Sequence, residues 1–168
     1  MYNVTVNIKH YHGNTIKRHN VTRFGYKNHI SIDVKHKLIR SYKVTDAATH
    51  DSNVFSELLD EENSSRDVWA DSAYRKPEIL DDLSESGYRE HLNRRSYRNR
   101  MLTDREKRGN RTRSKVRSRV EHIFGVQAKR AGDLILRTIG IWRARIKIGL
   151  RNLAYNLDRY AFLVSVSE

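Results

Sequence analysis

Residues 67–80 read DVWADSAYRKPEIL, a short apolar run that passes through an acid into a helix start. Val68, Trp69 and Ala70 make a short apolar run, the pattern of a buried strand. The run ends on Asp71. Pro77 then stands at an early position of KPEILDDLSESG, which predicts a helix with Leu80 and Leu83 inward and Gly87 as its C′ residue. A strand that delivers a carboxylate at its C-terminal tip either places a metal ligand or general base, or caps a turn. These residues alone leave both open.

Upstream, FGYKNHISIDV (24–34) alternates, with Phe24, Tyr26, Asn28, Ile30, Ile32 and Val34 on one side and mostly polar residues on the other. That predicts a half-buried strand. KHK turns the chain into LIRSYKVT (38–45), the expected antiparallel hairpin partner. THDSNVFSELLDEE then predicts a helix capped by Thr49 or Asp51, with Val54, Phe55, Leu58 and Leu59 on one face. Residues 1–20 show no clear period.

Downstream, YREHLN (88–93) reads as a short strand and residues 94–110 as a basic loop. RTRSKVRSRVEHIFGVQAKR (111–130) predicts a helix with one apolar stripe at Val116, Val120, Ile123 and Phe124. In the last segment Ile146, Leu150, Leu153, Leu157, Tyr160 and Val164 follow at alternating steps of four and three. They predict a long helix that packs this face against the body. Strands, a crossover helix and closing helices make a mixed α/β, or α+β, domain.

The 168 residues favour one domain with a real core. Neither a membrane-length apolar run nor a signal-peptide apolar region is visible, so the expectation is a soluble, cytoplasmic chain. Without cysteine it has no disulfide and no thiolate zinc site. The net charge of +13 is unevenly placed: residues 1–87 hold 12 Lys+Arg against 13 Asp+Glu, residues 88–168 hold 21 against 7. A solvated face usually balances its signs; this excess is the signature of a polyanion-binding surface. An RNA-binding protein fits less well, since residues 88–168 arrange few aromatics for base stacking.

Within the basic helix, Glu121 is the lone acid between Glu106 and Asp133, among Arg111, Arg113, Lys115, Arg117 and Arg119. Arg117 lies one turn before it, so a surface ion pair explains it. A metal ligand flanked by arginines that hold DNA phosphates explains it equally.

Five blocks resemble one family: FGYKNHISID, KLIRSYKVTDAATHDSNVFSELLDEEN, DVWADSAYRKPEI, GNRTRSKVRSRVEHIFG and IGLRNLAYNLDRY. From about Lys17 to about Tyr160 the chain is similar to the catalytic core of bacterial insertion-sequence transposases of the DDE type. The resemblance implies a ribonuclease H-like fold over residues 21–168, a mixed sheet flanked by helices. It implies DNA transposition by two-metal cleavage and joining of strands, three acids holding two Mg2+ (or Mn2+) ions. The second acid matches Asp71. The third matches Glu121, within an R-x-x-x-E pattern begun by Arg117. Family members often carry a lysine seven residues after that glutamate; here that position is Ala128 and the lysine is Lys129.

Its implied partners are double-stranded DNA, as transposon ends and target, with no membrane. Arg111, Arg113, Lys115, Arg117, Arg119, Lys129 and Arg130 are the expected DNA contacts. A homo-oligomer or association with a full-length transposase is also expected, as is nucleoid association. The first acid, which the family carries on its first strand, has no match. Residues 1–32 contain no Asp or Glu, and YNVTVNI alternates like a strand but carries no acid. The expectation is therefore a truncated copy lacking the family's first strand, with weak activity or none, and with Asp33 or Asp46 the remote substitutes. The alternative is an inactive DNA-binding remnant.

Overall fold

The computed structural model describes residues 3–9, 25–60, 65–131, 136 and 138–167. Five strands form one sheet: β1 (Asn3–Lys9), β2 (Tyr26–Asp33), β3 (Ile39–Asp46), β4 (Asp67–Ala70) and β5 (Arg89–Leu92). Their order is β3-β2-β1-β4-β5. β1, β2 and β3 form an antiparallel meander, whereas β4 runs parallel to β1 and β5 parallel to β4.

The expectation that the first strand is missing is therefore corrected. β1 is present and central, hydrogen-bonded to β2 on one side and β4 on the other. Alternation in YNVTVNI was its signal; an acid-free strand is still a strand, because the ladder is made by backbone groups. The part of residues 1–20 outside β1 lies outside the described residues.

Helices cover both faces. α1 (Pro77–Glu85) lies on one side, with a cluster of Phe55, Val68, Tyr74, Leu83, Tyr88 and Leu92 beneath it. Its end is a Schellman motif, as Gly87 predicted: Gly87 has φ 72°, its N–H donates to Ser84 O, and Tyr88 N–H donates to Leu83 O. Inside α1 the buried residues are Ile79 and Leu83, with Leu80 only half-buried. α2 (Asp104–Ala131) and α3 (Ile141–Ser167) occupy the other face. There Ile30, Ile32, Val120, Ile123, Phe124 and Tyr155 form the second cluster.

Because both faces are covered, β2 is buried along nearly its whole length rather than on one side. Most of its buried polar atoms find partners inside the fold, although His29 Nδ1 has none. Lys27 Nζ donates to Thr49 O (2.5 Å) and pairs with Asp51 Oδ1 (2.9 Å). Buried His29 bonds Thr45 Oγ1 through Nε2 at 2.8 Å, and burial pushes its pKa down from 6.5 to about 4.

Three further expectations are corrected. The helix over 49–62 is instead two short 3-10 turns, Asp51–Val54 and Ser56–Leu58. The first is capped by His50, since Asp51 is taken by Lys27. α2 begins at Asp104, seven residues before the expected start, inside the supposed basic loop. The signal was the capping box TDRE: Thr103 N–H donates to Glu106 Oε2 at 2.9 Å, and Glu106 N–H to Thr103 Oγ1 at 3.3 Å.

α3 presents the opposite face from the one expected. Ala144, Ile148, Asn152 and Tyr155 are its buried residues, while Ile146, Leu150, Leu153, Leu157, Tyr160 and Val164 are exposed. Polar bonds set this rotation. Asn152 Oδ1 accepts from Asn28 Nδ2 of β2 and Gln127 Nε2 of α2, both at 3.0 Å. Asn156 accepts from Ile39 N–H (2.9 Å) and donates to Ile39 O (2.8 Å) on edge strand β3. Tyr155 Oη and Arg159 Nε donate to Lys37 O and His36 O.

Candidate active site

Asp71 follows β4 directly, at the C-terminal end of the central parallel strands. It caps the 3-10 turn Ser72–Tyr74: Oδ1 accepts from Ser72 N–H at 2.6 Å. Turn-capping, one of the two open readings, is thus observed. It does not exhaust the residue, because the same oxygen lies 3.2 Å from Arg117 Nη1 on α2.

Arg117 also reaches Glu121 Oε1, with Nη2 at 3.1 Å. Fifty residues apart in sequence, Asp71 and Glu121 converge on one guanidinium. α2 lies across β1 and β4, pinned to β4 by Trp69, which packs against its apolar stripe, and near β5 by Asn93, whose Nδ2 donates to Ser114 Oγ at 3.4 Å. The Asp71 and Glu121 side chains are 41% and 59% exposed, so each ion pair contributes no more than about 1 kcal/mol. A bridge worth so little to stability, between acids open to solvent, leaves both carboxylates available to a ligand.

The remaining acids stand elsewhere. Asp33 pairs in register with Asn3 at the far end of β1, whereas Asp71 follows the Thr5–Ala70 pair. That separates them by about 10 Å along the strands. Asp33 accepts from Lys35 N–H and His36 N–H and pairs with the His36 ring. Asp46 caps its own turn through Ala48 N–H, Thr49 N–H and Thr49 Oγ1, and the Thr49 bonds hold its carboxyl below the usual range. The β1 positions level with Asp71 are Val6 and Asn7, neither acidic. The carboxylate is what the first strand lacks.

The basic residues fall into two groups. Arg111, Lys115 and Lys129 are exposed, with no ion pair among the described residues. Half-buried Arg113 lies along α2 with Nη1 3.3 Å from Asn110 Oδ1. Arg117, Arg119 and Arg130 are engaged within the fold: with the two acids, with Val34 O at 2.5 Å, and with Asp158 of α3. Lys129 sits about 80° round the helix from Glu121, off the face of the acid.

Sequence reasoning missed the loop before α2. Arg94 and Arg100 both bond Glu106 Oε1, at 2.8 and 2.9 Å, and Asn110 Oδ1 and Nδ2 hold Arg94 N–H and O. The Thr103 N–H and Arg94 bonds hold the Glu106 carboxyl down to about 2. Arg75, Arg94, Arg95 and Arg100 line a cavity of about 350 Å3 here. The capping box was legible; that it would gather arginines was not.

A strand-tip acid facing an acid on a basic helix defines the class of site: a carboxylate pair bordered by arginine and lysine side chains. A family model described as "Transposase DDE domain" matches residues 5–157, and the chain belongs to that family. It is 27% identical over 146 residues to the transposase for insertion sequence element IS1106 of Neisseria meningitidis serogroup B. That match covers 87% of this chain and 50% of the relative, so the chain spans about half the relative's length. No solved structure matches it. Among the described residues, no helix is long and apolar enough to cross a membrane.

Proposed function

We propose that this chain carries the catalytic face of a DNA transposase, with Asp71 and Glu121 as carboxylate ligands of a divalent-ion site beside a DNA-binding helix. The observation that carries the proposal is their convergence on Arg117. Sheet order and strand directions support a ribonuclease H-like reading of the fold: an antiparallel meander joined at its first strand to two parallel strands, with helices on both faces.

The donor set suits Mg2+ or Mn2+. Both acids supply hard oxygen ligands, and magnesium binds through one or two carboxylates while keeping several waters. Asp71 and Glu121 would hold the ion; bound there, it would polarise a phosphodiester and stabilise charge on the leaving oxygen. Arg117, already between the acids, offsets one of their two charges in the free protein and is placed to contact a phosphate oxygen when they turn to the ion. Arg111, Arg113 and Lys115 extend the positive surface along α2 and would position the DNA backbone.

Absence of an acid on β1 level with Asp71 makes strand cleavage and joining by this chain weak, because positioning and charge neutralisation both suffer when a ligand is lost. DNA binding needs no third acid.

The test is Mn2+ binding followed by paramagnetic resonance and by thermal shift, on the wild type and on Asp71→Asn and Glu121→Gln. Saturable binding that weakens at least tenfold in both variants is expected. Equal affinity in all three proteins would overturn the assignment.

A further inference from the structure

The exposed stripe of α3 has the spacing of a coiled-coil seam. Ile146, Leu150, Leu153, Leu157, Tyr160 and Val164 alternate steps of four and three over nearly three heptads, the pattern of positions d and a. All six are between 41% and 63% exposed. They lie on the side of the helix opposite Ala144, Ile148, Asn152 and Tyr155, which face the body. A face this apolar and this regular is unusual on a surface helix.

We propose that α3 is the dimerisation element of this chain and that its occupant is the α3 of a second copy, packed antiparallel. Three observations choose that occupant. First, the stripe is self-complementary about a twofold axis. Antiparallel alignment pairs Ile146 with the partner's Val164, Leu150 with the partner's Tyr160, and Leu153 with the partner's Leu157, so every a position meets a d position. A closed isologous dimer requires this kind of self-match.

Second, charge selects the direction. The first third of α3 carries Arg143, Arg145 and Lys147, while residues 160–167 carry no charge. A parallel pair would set the basic thirds against each other. An antiparallel pair sets each against the uncharged end of its partner, which removes the repulsion.

Third, the shape fits. Residues 160–167 of α3 have no buried member, and Tyr160 and Val164 stand exposed there on the seam. At the other end, an open groove of about 590 Å3 runs between α3 and edge strand β3, lined by Tyr42, Trp142, Ile146, Leu150 and Leu153. In the antiparallel register the exposed end of one helix lies in the groove of the other. Together these side chains offer roughly 800 Å2 per copy, the area of a standard specific interface. Rotation of α3 by its polar bonds to β2, α2 and β3 is what leaves the seam free for this use.

The inference does not depend on the metal-site reading. Sedimentation equilibrium at micromolar concentration should give twice the 19.8 kDa chain mass. Leu153→Glu with Leu157→Glu should give the single chain mass with an unchanged far-ultraviolet circular dichroism spectrum. The chain has no cysteine, so introduced thiols report the register. Leu150→Cys mixed with Tyr160→Cys should form a disulfide between copies, and neither variant should cross-link with itself. A monomeric wild type would overturn the proposal, as would an Leu153→Glu/Leu157→Glu dimer or cross-linking of Leu150→Cys with itself alone.

Discussion

Truncating Asn152 to alanine tests the arrangement that places both α3 and the acid-bearing helix. Asn152 is 2% exposed, Asn28 3% and Gln127 4%, so the three amides form a buried network. Asn152 Oδ1 accepts two hydrogen bonds of 3.0 Å, and its Nδ2 donates a third of 3.3 Å back to Asn28 Oδ1. Alanine at this position orphans one N–H on Asn28, one on Gln127 and the Asn28 carbonyl. At about 1–3 kcal/mol for each buried group left unsatisfied, with partial relief from a water entering the space, the expected loss is about 4 kcal/mol. That is a large share of the 5–15 kcal/mol typical of a domain. Urea unfolding followed by circular dichroism reads it directly. Asn28→Leu combined with Asn152→Leu leaves only Gln127 orphaned, so the pair should cost less than its two single changes together. A loss below about 1 kcal/mol for Asn152→Ala would refute the reasoning. The consequence reaches the site, because Gln127 follows Glu121 by six residues on α2.

Two further predictions follow from buried and exposed charge. His29 is held neutral by burial, with Asp51 opposing the shift and Lys27 adding to it. The unfolded chain protonates His29 below about 6.5 and the folded chain only below about 4. Stability from this residue is therefore complete above that upper value and falls by about 3 kcal/mol as pH drops to 4; urea midpoints across pH 4–7 should show the fall, and His29→Gln should flatten it. A flat wild-type profile counts against the buried neutral histidine. In DNA binding, Arg111→Ala and Lys115→Ala should each lower the log–log salt slope by about one, measured by fluorescence anisotropy, because both side chains are exposed. Arg119→Ala should instead lower stability, since its guanidinium holds Val34 O; equal slope changes for all three would show that the division of the arginines is wrong.

Local pattern made much of the fold legible. Strands β2 to β5, helix α1 with its Gly87 terminus and the apolar stripe of α2 follow from spacing and turn chemistry, which act over a few residues. The early start of α2 was legible too, in Thr103 and Glu106. The seam of α3 was visible as a seam, but a stripe does not say what it faces. Alternation in β2 implied one buried side, and only the layer on its second face buries Lys27, His29 and Ser31 as well.

By itself, the sequence determined the family, the two candidate acids, the basic half and the lack of an early carboxylate, because each depends on residue type and order along the chain. Tertiary structure decided that β1 is central, that Asp71 and Glu121 meet at Arg117, which arginines are engaged within the fold, and that α3 turns its polar side inward. The reason is one of distance. Asn28 and Asn152 are 124 positions apart, and no local period records that a buried amide will find its partner there; packing has to bring the groups together before their hydrogen bonds can choose the face of a helix.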